Sequence, residues 1–321
     1  MLRTCRSTPP PSSEVMCNTA NEPIARDVNP SLKAFASAPV WALLAGAATW
    51  GVIWYPYRIL AHAGLDGAWS TVLTYAVALV VGASIFRSAA ASLKGMPAGA
   101  WVMGAAIGWS NLAYVLAVID GEVMRVLLLF YLAPLWTVPL AWLLLRERLD
   151  APGFAVMALA FAGAMAMLWH PQAGFPWPRD HADWLGLAAG LLFAVGNVMV
   201  RRLSQMGDAA KSIVIWAGVT LAGLVQLPFT GADASSAIAA ARASAPVVIG
   251  IGIALVVMSL SLQYGLSRLA ANRAIVILLF ELVIAALAAY VLAGEVLSPH
   301  EWIGGGLIVA ASLASGWVKA R

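Results

Sequence analysis

Charged residues are scarce in this chain. Asp, Glu, Lys and Arg make up only 11% of its 321 residues, whereas 62% of the residues are hydrophobic. Soluble domains average about 25% charged and about 45–50% apolar residues. This composition excludes a globular cytosolic enzyme and indicates a protein that resides in a lipid bilayer.

Cysteine is almost absent. The two cysteines, Cys5 and Cys17, both lie in residues 1–38, a segment rich in Pro, Ser and Asn that we predict to be a disordered cytoplasmic tail. They allow no disulfide framework and no metal cluster, and we expect no metal site and no cofactor. The tail lacks the apolar stretch of a cleaved signal peptide, and Met16 is an alternative start to Met1.

The basic residues form no continuous stripe with interleaved aromatics, so we predict no nucleic-acid partner. They lie instead in short breaks between long apolar runs. We predict ten membrane-spanning helices, because a helix satisfies its own backbone hydrogen bonds in lipid and the alternating pattern of a barrel is absent. The predicted spans are Val40–Ala61, Ala68–Phe86, Ala98–Ile119, Val123–Leu145, Gly153–Trp169, Trp184–Leu203, Ser212–Phe229, Pro246–Leu266, Ala274–Ala293 and Trp302–Val318.

The distribution of Lys and Arg predicts the orientation of these spans. With the N-terminus inside, only four of the nineteen basic residues fall in outer segments: Arg58, Arg125, Arg179 and Arg242. Cytoplasmic loops carry an excess of Lys and Arg. We therefore expect a multi-pass protein of the bacterial inner membrane with both termini in the cytoplasm.

The two halves of the chain resemble each other. Trp41 and Arg58 match Trp184 and Arg201, and the segment Leu128-Leu129-Phe130 matches Leu278-Leu279-Phe280. Because each copy holds an odd number of spans, the second copy is expected to be inverted relative to the first. We predict an all-α integral membrane protein with two inverted five-helix repeats, residues 39–169 and 184–321, joined by a loop at 170–183. Such repeats are common in secondary transporters.

Two long segments carry a family resemblance. LLLFYLAPLWTVPLAWLLLRERL and LLFELVIAALAAYVLAGEVLSPHEWIGGGLIVAASLA resemble the two repeats of the EamA family, within the drug/metabolite transporter superfamily. The resemblance covers nearly everything after Pro39. It implies a ten-helix carrier that exports amino acids, other small metabolites or drugs, and aromatic amino-acid exporters are among its relatives. Family members often have Glu-Pro in the ninth span, whereas Glu281 is followed here by Leu282.

Glu281 is the sharpest candidate site residue, since it lies within an otherwise apolar span. A charged side chain at mid-membrane costs about 2.5–3.5 kcal/mol on insertion scales and therefore faces a cavity or a partner. One interpretation is a protonatable group that couples proton movement to transport or holds an ammonium group. The other is a structural acid bonded to Asn111, Asn197 or Gln263.

Aromatic and amide side chains are further candidates. Trp50 and Trp54 lie one turn apart in the first span, so they share a face of that helix. An aromatic cavity would suit aromatic or aliphatic side chains and organic cations. Each of these residues could instead pack against lipid or tie two helices together. The complete set of cavity candidates is Trp50, Trp54, Asn111, Tyr114, Tyr131, Asn197, Tyr264 and Glu281.

Arg125 and Arg273 begin the fourth and ninth spans at opposite membrane faces. They could attract an anionic group to the mouths of a cavity, or they could snorkel and pair locally, as Arg125 could with Asp120 and Glu122. A separate loop cluster, Arg179 to Asp183, could bind a metal in a membrane enzyme, although a solvated loop explains the same residues.

The sequence therefore predicts an alternating-access exporter of amino acids, aromatic or otherwise neutral, and not an enzyme. Efflux of organic cations or drugs is the alternative, and a polytopic membrane enzyme is a distant one. The expected partners are a small-molecule substrate and the bilayer, with a proton as a candidate coupling ion. Monomer and homodimer both remain open.

Overall fold

The computed structural model describes residues 37–120, 123–168, 178–231, 233–293 and 298–315, and within these ranges every regular element is helical. The predicted tail, except for Ser37 and Ala38, and most of the predicted connecting loop lie outside the described residues. The helices are α1 Ala38–His62, α2 Gly67–Ile85, α3 Arg87–Ala91, α4 Ala98–Asp120, α5 Val123–Phe130, α6 Ala133–Leu145, α7 Ala151–Leu168, α8 His181–Arg202, α9 Asp208–Gln226, α10 Ala234–Ala243, α11 Ala245–Arg268, α12 Ala271–Leu278, α13 Phe280–Ala293 and α14 Pro299–Ala314.

Eight candidate spans, some built from two consecutive helices, are long and apolar enough to cross a membrane. A span needs about 20 largely apolar residues. The chain is therefore an all-α, multi-pass membrane protein. Helices occur at all ten predicted positions, but α4 and α14 are not among the eight candidates, and α14 has only 16 residues. The count of ten stays a prediction.

Two of the predicted spans are each divided into two helices. The fourth is broken between α5 and α6 at Tyr131 and Leu132, and the ninth between α12 and α13 at Leu279. These breaks are about 150 residues apart, the same shift at which the sequence segments match. Pro134 at the start of α6 lacks a backbone N–H and so favours a new helix start there.

Local sequence sets several helix starts. The Asp66 carboxylate accepts a hydrogen bond from the Trp69 backbone N–H at 2.9 Å, which caps α2. Ser298 and Glu301 form a reciprocal capping box at α14. These side chains satisfy backbone donors that the first turn of a helix leaves without partners.

The most extensive helix contacts join the two halves of the chain. In the first half, α1 packs on α11 and α13, and α2 packs on α9 and α11. Helix α7 of the first half packs on α14, and α8 of the second half packs on α4, α5 and α6. A Cβ built on Gly163 of α7 would lie 2.7 Å from the Gly304 oxygen of α14, so glycine permits this close approach.

Ion pairs connect helix ends around the first turn of α12. Glu147, which follows α6, contacts Arg201 Nε at 3.1 Å and accepts a hydrogen bond from the Ala271 N–H at 2.8 Å. Asp208 pairs with Arg268 at 2.8 Å and with the fully buried Lys211 at 3.0 Å. A buried lysine is tolerated because it is paired and hydrogen-bonded.

Many large apolar side chains face outwards. Trp41, Trp101, Trp184 and Trp302, which we predict at span ends, are all about half exposed. Trp142 is also exposed, whereas Trp216 is fully buried. Exposed apolar surface on this scale is typical of helices that face lipid.

Candidate functional site

A cavity of about 180 Å³ lies between helices of both halves of the chain. Its walls come from α1, α2, α4, α5 and α6 in the first half, and from α8, α9, α11, α12 and α13 in the second. Helices α7 and α14 contribute no lining residue among those described. The cavity is mainly apolar with a few polar groups, as small-molecule sites are.

Glu281 lies in the first turn of α13 and lines this cavity. The hydroxyl of Tyr131 donates a hydrogen bond to its Oε1 at 2.8 Å. The sequence analysis expected Asn111, Asn197 or Gln263 as the partner, and the structure shows Tyr131 instead. Both residues stand at helix breaks, 150 positions apart in the chain. The breaks thus bring a carboxyl group and a phenol together from opposite halves.

Aromatic rings form one wall of the cavity. The ring of Phe130 lies 5.3 Å from Tyr114, 5.2 Å from Tyr131 and 5.3 Å from Phe193, centroid to centroid. These separations fall in the range of favourable edge-to-face and tilted pairs. Trp50 of α1 lines the cavity as well. The result is an ordered aromatic surface against which a planar or aliphatic group can pack.

Three amide side chains line the same cavity: Asn111, Asn197 and Gln263. Asn197 and Gln263 are 8% and 4% exposed. The Asn197 Nδ2 and the Gln263 Oε1 have no hydrogen-bond partner within the described part of the chain. Because buried polar atoms are normally satisfied, this donor and this acceptor are available to a ligand or to water.

The predicted site residues thus divide into groups. Six of the eight cavity candidates line the cavity: Trp50, Asn111, Tyr114, Tyr131, Asn197 and Glu281. Trp54 and Tyr264 do not line it. Trp54 lies a turn further along α1, with the Arg58 guanidinium 5.2 Å from its ring, and the Arg268 guanidinium stacks 3.8 Å from the Tyr264 ring.

Of the two arginines predicted at cavity mouths, Arg273 does not line this cavity. Arg273 lines a separate pocket near Glu147. The side chain of Arg125 lies outside the described residues, as do those of Asp120 and Glu122. A role for Arg125 therefore stays a prediction.

Sequence reasoning missed several lining residues. Phe130 and Phe193 were not predicted at the site, and Gln263 was considered only as a partner of Glu281. Phe193 precedes Asn197 by four residues in α8, so the two share a helix face. That spacing was the available signal. Gln263 could have been found as a polar residue within an apolar span.

The loop cluster before α8 has a structural role. Asp180 accepts a hydrogen bond from the Asp183 backbone N–H at 2.9 Å and caps the helix, and Asp183 accepts one from the Arg179 N–H at 2.8 Å. No group of three or more His, Cys, Asp or Glu that could hold a metal ion occurs among the described residues.

Comparison with known proteins identifies the family. Residues 181–317 match the EamA-like transporter family. The second half of the chain therefore carries an EamA-like repeat. EamA-like proteins are transporters, which is consistent with the prediction that the chain is not an enzyme. The family predicted from the sequence is thereby confirmed.

Solved structures share the fold of this EamA-like chain. One crystal structure superposes with a TM-score of 0.68, covering 87% of this chain and 97% of its own, at 18% identity. At this identity the similarity shows the fold alone. No curated protein matches the sequence.

Proposed function

We propose that this EamA-like protein is a secondary transporter that exports small metabolites, with aromatic or other neutral amino acids as the first candidate substrates. The observation that carries the proposal is the aromatic and polar cavity that contains the Tyr131–Glu281 pair. It is built from both halves of the chain, so a rocking motion of one half against the other would change access to it.

The size and chemistry of the cavity favour a small metabolite. Drug-sized ligands occupy pockets of about 300–1,000 Å³, whereas this cavity measures about 180 Å³. The donor of Asn197 and the acceptor of Gln263, which have no partner among the described residues, suit a ligand that both accepts and donates hydrogen bonds. A free amino acid carries both kinds of group next to one side chain that the aromatic wall can contact.

Efflux of organic cations is the second candidate. Glu281 is the only acidic residue among the described lining residues, and aromatic rings stand beside it. A cation can be attracted both by a carboxylate and by ring faces. Efflux of organic cations differs from amino-acid export because the substrate needs no hydrogen-bond acceptor.

Two inverted five-helix repeats with ten spans are part of the proposal. The reciprocal packing supports this arrangement, because α1 contacts α11 and α13 while α8 contacts α4, α5 and α6. Helix breaks at corresponding positions support it further. The excess of basic residues on one side supports cytoplasmic termini in an inner membrane.

Glu281 is proposed to carry a coupling proton. Its carboxyl group can exist in charged and neutral forms, and the Tyr131 hydroxyl can donate to the charged form. Substrate binding that favours one form would link proton movement to transport. Glu281→Gln keeps the shape of the side chain and removes the titratable carboxyl group.

Proteoliposome assays test the proposal. Purified protein would be assayed with labelled aromatic and aliphatic amino acids and, separately, with a quaternary-ammonium dye, at several pH values. We expect the wild-type protein to transport amino acids faster than the dye. Glu281→Gln should reduce amino-acid transport at least about tenfold, and the remaining rate should not depend on pH. Thermal unfolding of the variant should stay close to that of the wild type.

Trp50 and Trp54 supply a matched pair for the cavity. Both are tryptophans of α1, but only Trp50 lines the cavity. Trp50→Leu should weaken substrate transport, whereas Trp54→Leu should leave it near the wild-type rate. Undiminished amino-acid transport by Glu281→Gln at every pH contradicts the coupling role, and transport of the dye alone favours the second candidate.

A further inference from the structure

A second pocket of about 180 Å³ lies at the helix ends around Glu147. It is formed where the α6–α7 turn meets the turn between α11 and α12, with Arg201 of α8 beside them. The pocket is therefore built from both halves of the chain. It shares no described lining residue with the aromatic cavity.

Positive charge predominates in this pocket. Four arginines line it, against two acids. The lining arginines are Arg148, Arg201, Arg268 and Arg273, and the acids are Glu147 and Asp150. An excess of guanidinium groups around one concave surface favours an anionic ligand, because each group presents several N–H donors in a planar fork.

The acids in the pocket are already engaged by the protein. Glu147 binds Arg201 Nε with one oxygen and the Ala271 N–H with the other. Asp150 accepts a hydrogen bond from the Gly153 N–H at 2.9 Å at the start of α7. Arg148, in contrast, is exposed and forms no ion pair with any residue that the structure describes.

Asn272 supplies an independent sign of a ligand. It is only 6% exposed and lines the pocket, yet its Oδ1 has no hydrogen-bond partner among the described residues. A buried acceptor of this kind is rarely left unsatisfied. The expected ligand therefore presents a hydrogen-bond donor as well as anionic oxygens.

Helix ends add to the preference for an anion. Both α7 and α12 begin at this pocket, at Ala151 and Ala271. The N-terminus of a helix carries a partial positive charge from its aligned peptide dipoles. The arginines and the two helix N-termini therefore both favour an anionic ligand.

We propose that this pocket binds a phosphate group that also offers a hydrogen-bond donor, with Arg148 contacting its anionic oxygens and Asn272 Oδ1 accepting from the donor. Hydrogen phosphate has anionic oxygens for Arg148 and a P–OH group that can donate to Asn272. A phosphatidylglycerol headgroup offers the same two features through its phosphodiester and its glycerol hydroxyls. Sulfate offers only anionic oxygens at neutral pH.

A bound phosphate would join the α6–α7 turn to α12 and so hold the two halves together at this face. The binding proposal does not depend on transport, because it is measured on the purified protein without a substrate gradient. Failure of the exporter proposal would leave it standing, and the reverse also holds.

The first test uses the full-length protein in a neutral detergent. Inorganic phosphate is titrated into it by calorimetry in a chloride buffer at neutral pH, with sulfate as the comparison. We expect saturable phosphate binding that is tighter than sulfate binding. Arg148→Gln should weaken phosphate binding about tenfold or more, because it removes a charged hydrogen-bonding partner.

Arg146→Gln is the matched control. Arg146 lies two residues before Arg148, is also exposed, and is not among the described residues that line the pocket. Its substitution should leave phosphate affinity unchanged. Asn272→Leu removes the acceptor, so the ratio of phosphate affinity to sulfate affinity should fall. Thermal unfolding without phosphate checks that each variant is folded.

The second test separates the two sources of phosphate. Delipidated protein is reconstituted in nanodiscs with phosphatidylglycerol or with phosphatidylcholine, whose headgroup lacks a hydrogen-bond donor, and lipid retention is measured by native mass spectrometry. Retention of phosphatidylglycerol that Arg148→Gln reduces supports a lipid headgroup. Phosphate binding without such retention supports a free phosphate.

Three outcomes would overturn the proposal. One is the absence of both saturable phosphate binding and selective lipid retention. Another is equal affinity of wild type and Arg148→Gln for phosphate and lipid. The third is equal affinity of the wild-type protein for phosphate and sulfate, since the donor to Asn272 is part of the proposal.

Discussion

Glu147 is expected to stabilise the junction between the halves by two distinct interactions. Its carboxylate pairs with Arg201 and accepts the Ala271 N–H at the start of α12. Loss of a capping acceptor costs about 0.5–2 kcal/mol. The ion pair is partly exposed, with 29% and 16% of the two side chains accessible, so we assign it about 1 kcal/mol.

Glu147→Ala should therefore lower the free energy of unfolding by about 1.5–3 kcal/mol. Glu147→Gln retains an oxygen that can accept the Ala271 N–H but loses the charge. It should cost about 1 kcal/mol. The difference between the two variants isolates the capping interaction. Unfolding would be followed by tryptophan fluorescence in denaturant, in one detergent, under conditions where the transition is reversible.

A double-mutant cycle of Glu147→Gln with Arg201→Gln measures the charge interaction directly. We expect a coupling energy of about 1 kcal/mol. Arg202→Gln is the control, because Arg202 is the exposed neighbour and forms no ion pair with any described residue. Its coupling to Glu147 should be within about 0.3–0.5 kcal/mol of zero. The reasoning is refuted if the Arg201 cycle gives a value equally close to zero.

Two further predictions concern helix packing. Gly163→Ala places a methyl group against a backbone oxygen of α14, at 2.7 Å, and should destabilise the protein by about 1–3 kcal/mol. Gly306→Ala, where a Cβ meets no described residue within 4 Å, should be neutral or stabilising, so equal melting temperatures for the two variants would contradict this account. Ser259→Ala removes the 2.9 Å bond from the Trp216 indole N–H and should cost about 1–3 kcal/mol. Ser261→Ala, which loses only a bond within its own helix, should cost less in the same unfolding experiment, and a reversed order would count against the assignment.

The sequence predicted the helical membrane class and the positions of the helices because apolar runs with charged ends leave few other structures in lipid. It did not predict the breaks at Tyr131 and Leu279. Pro134 was an available signal for the first break, whereas neither glycine nor proline marks the second. It did identify Tyr131 and Glu281 as two separate candidate residues. It could not pair them, because contacts between helices depend on rotation and depth that periodicity alone leaves open.

The same limit explains the remaining differences at the site. Trp50 and Trp54 share a face of α1, so the sequence could not tell that the cavity ends between them. Gln263 and Tyr264 are neighbours in α11, and only their different directions around the helix place the first residue in the cavity. The second pocket, around Glu147, is lined by turns that are distant in the chain, so it left no continuous pattern in the sequence.

The reciprocal packing of the halves has a consequence for biosynthesis. When only α1 to α7 have been translated, the helices of the second half that pack on α1, α2, α4 and α7 have not yet been synthesised. Until then, the glycine and polar faces of α1 to α7 contact lipid or the insertion machinery. A chain truncated after α7 should accordingly be degraded rapidly, and co-expression of the missing segment should protect it.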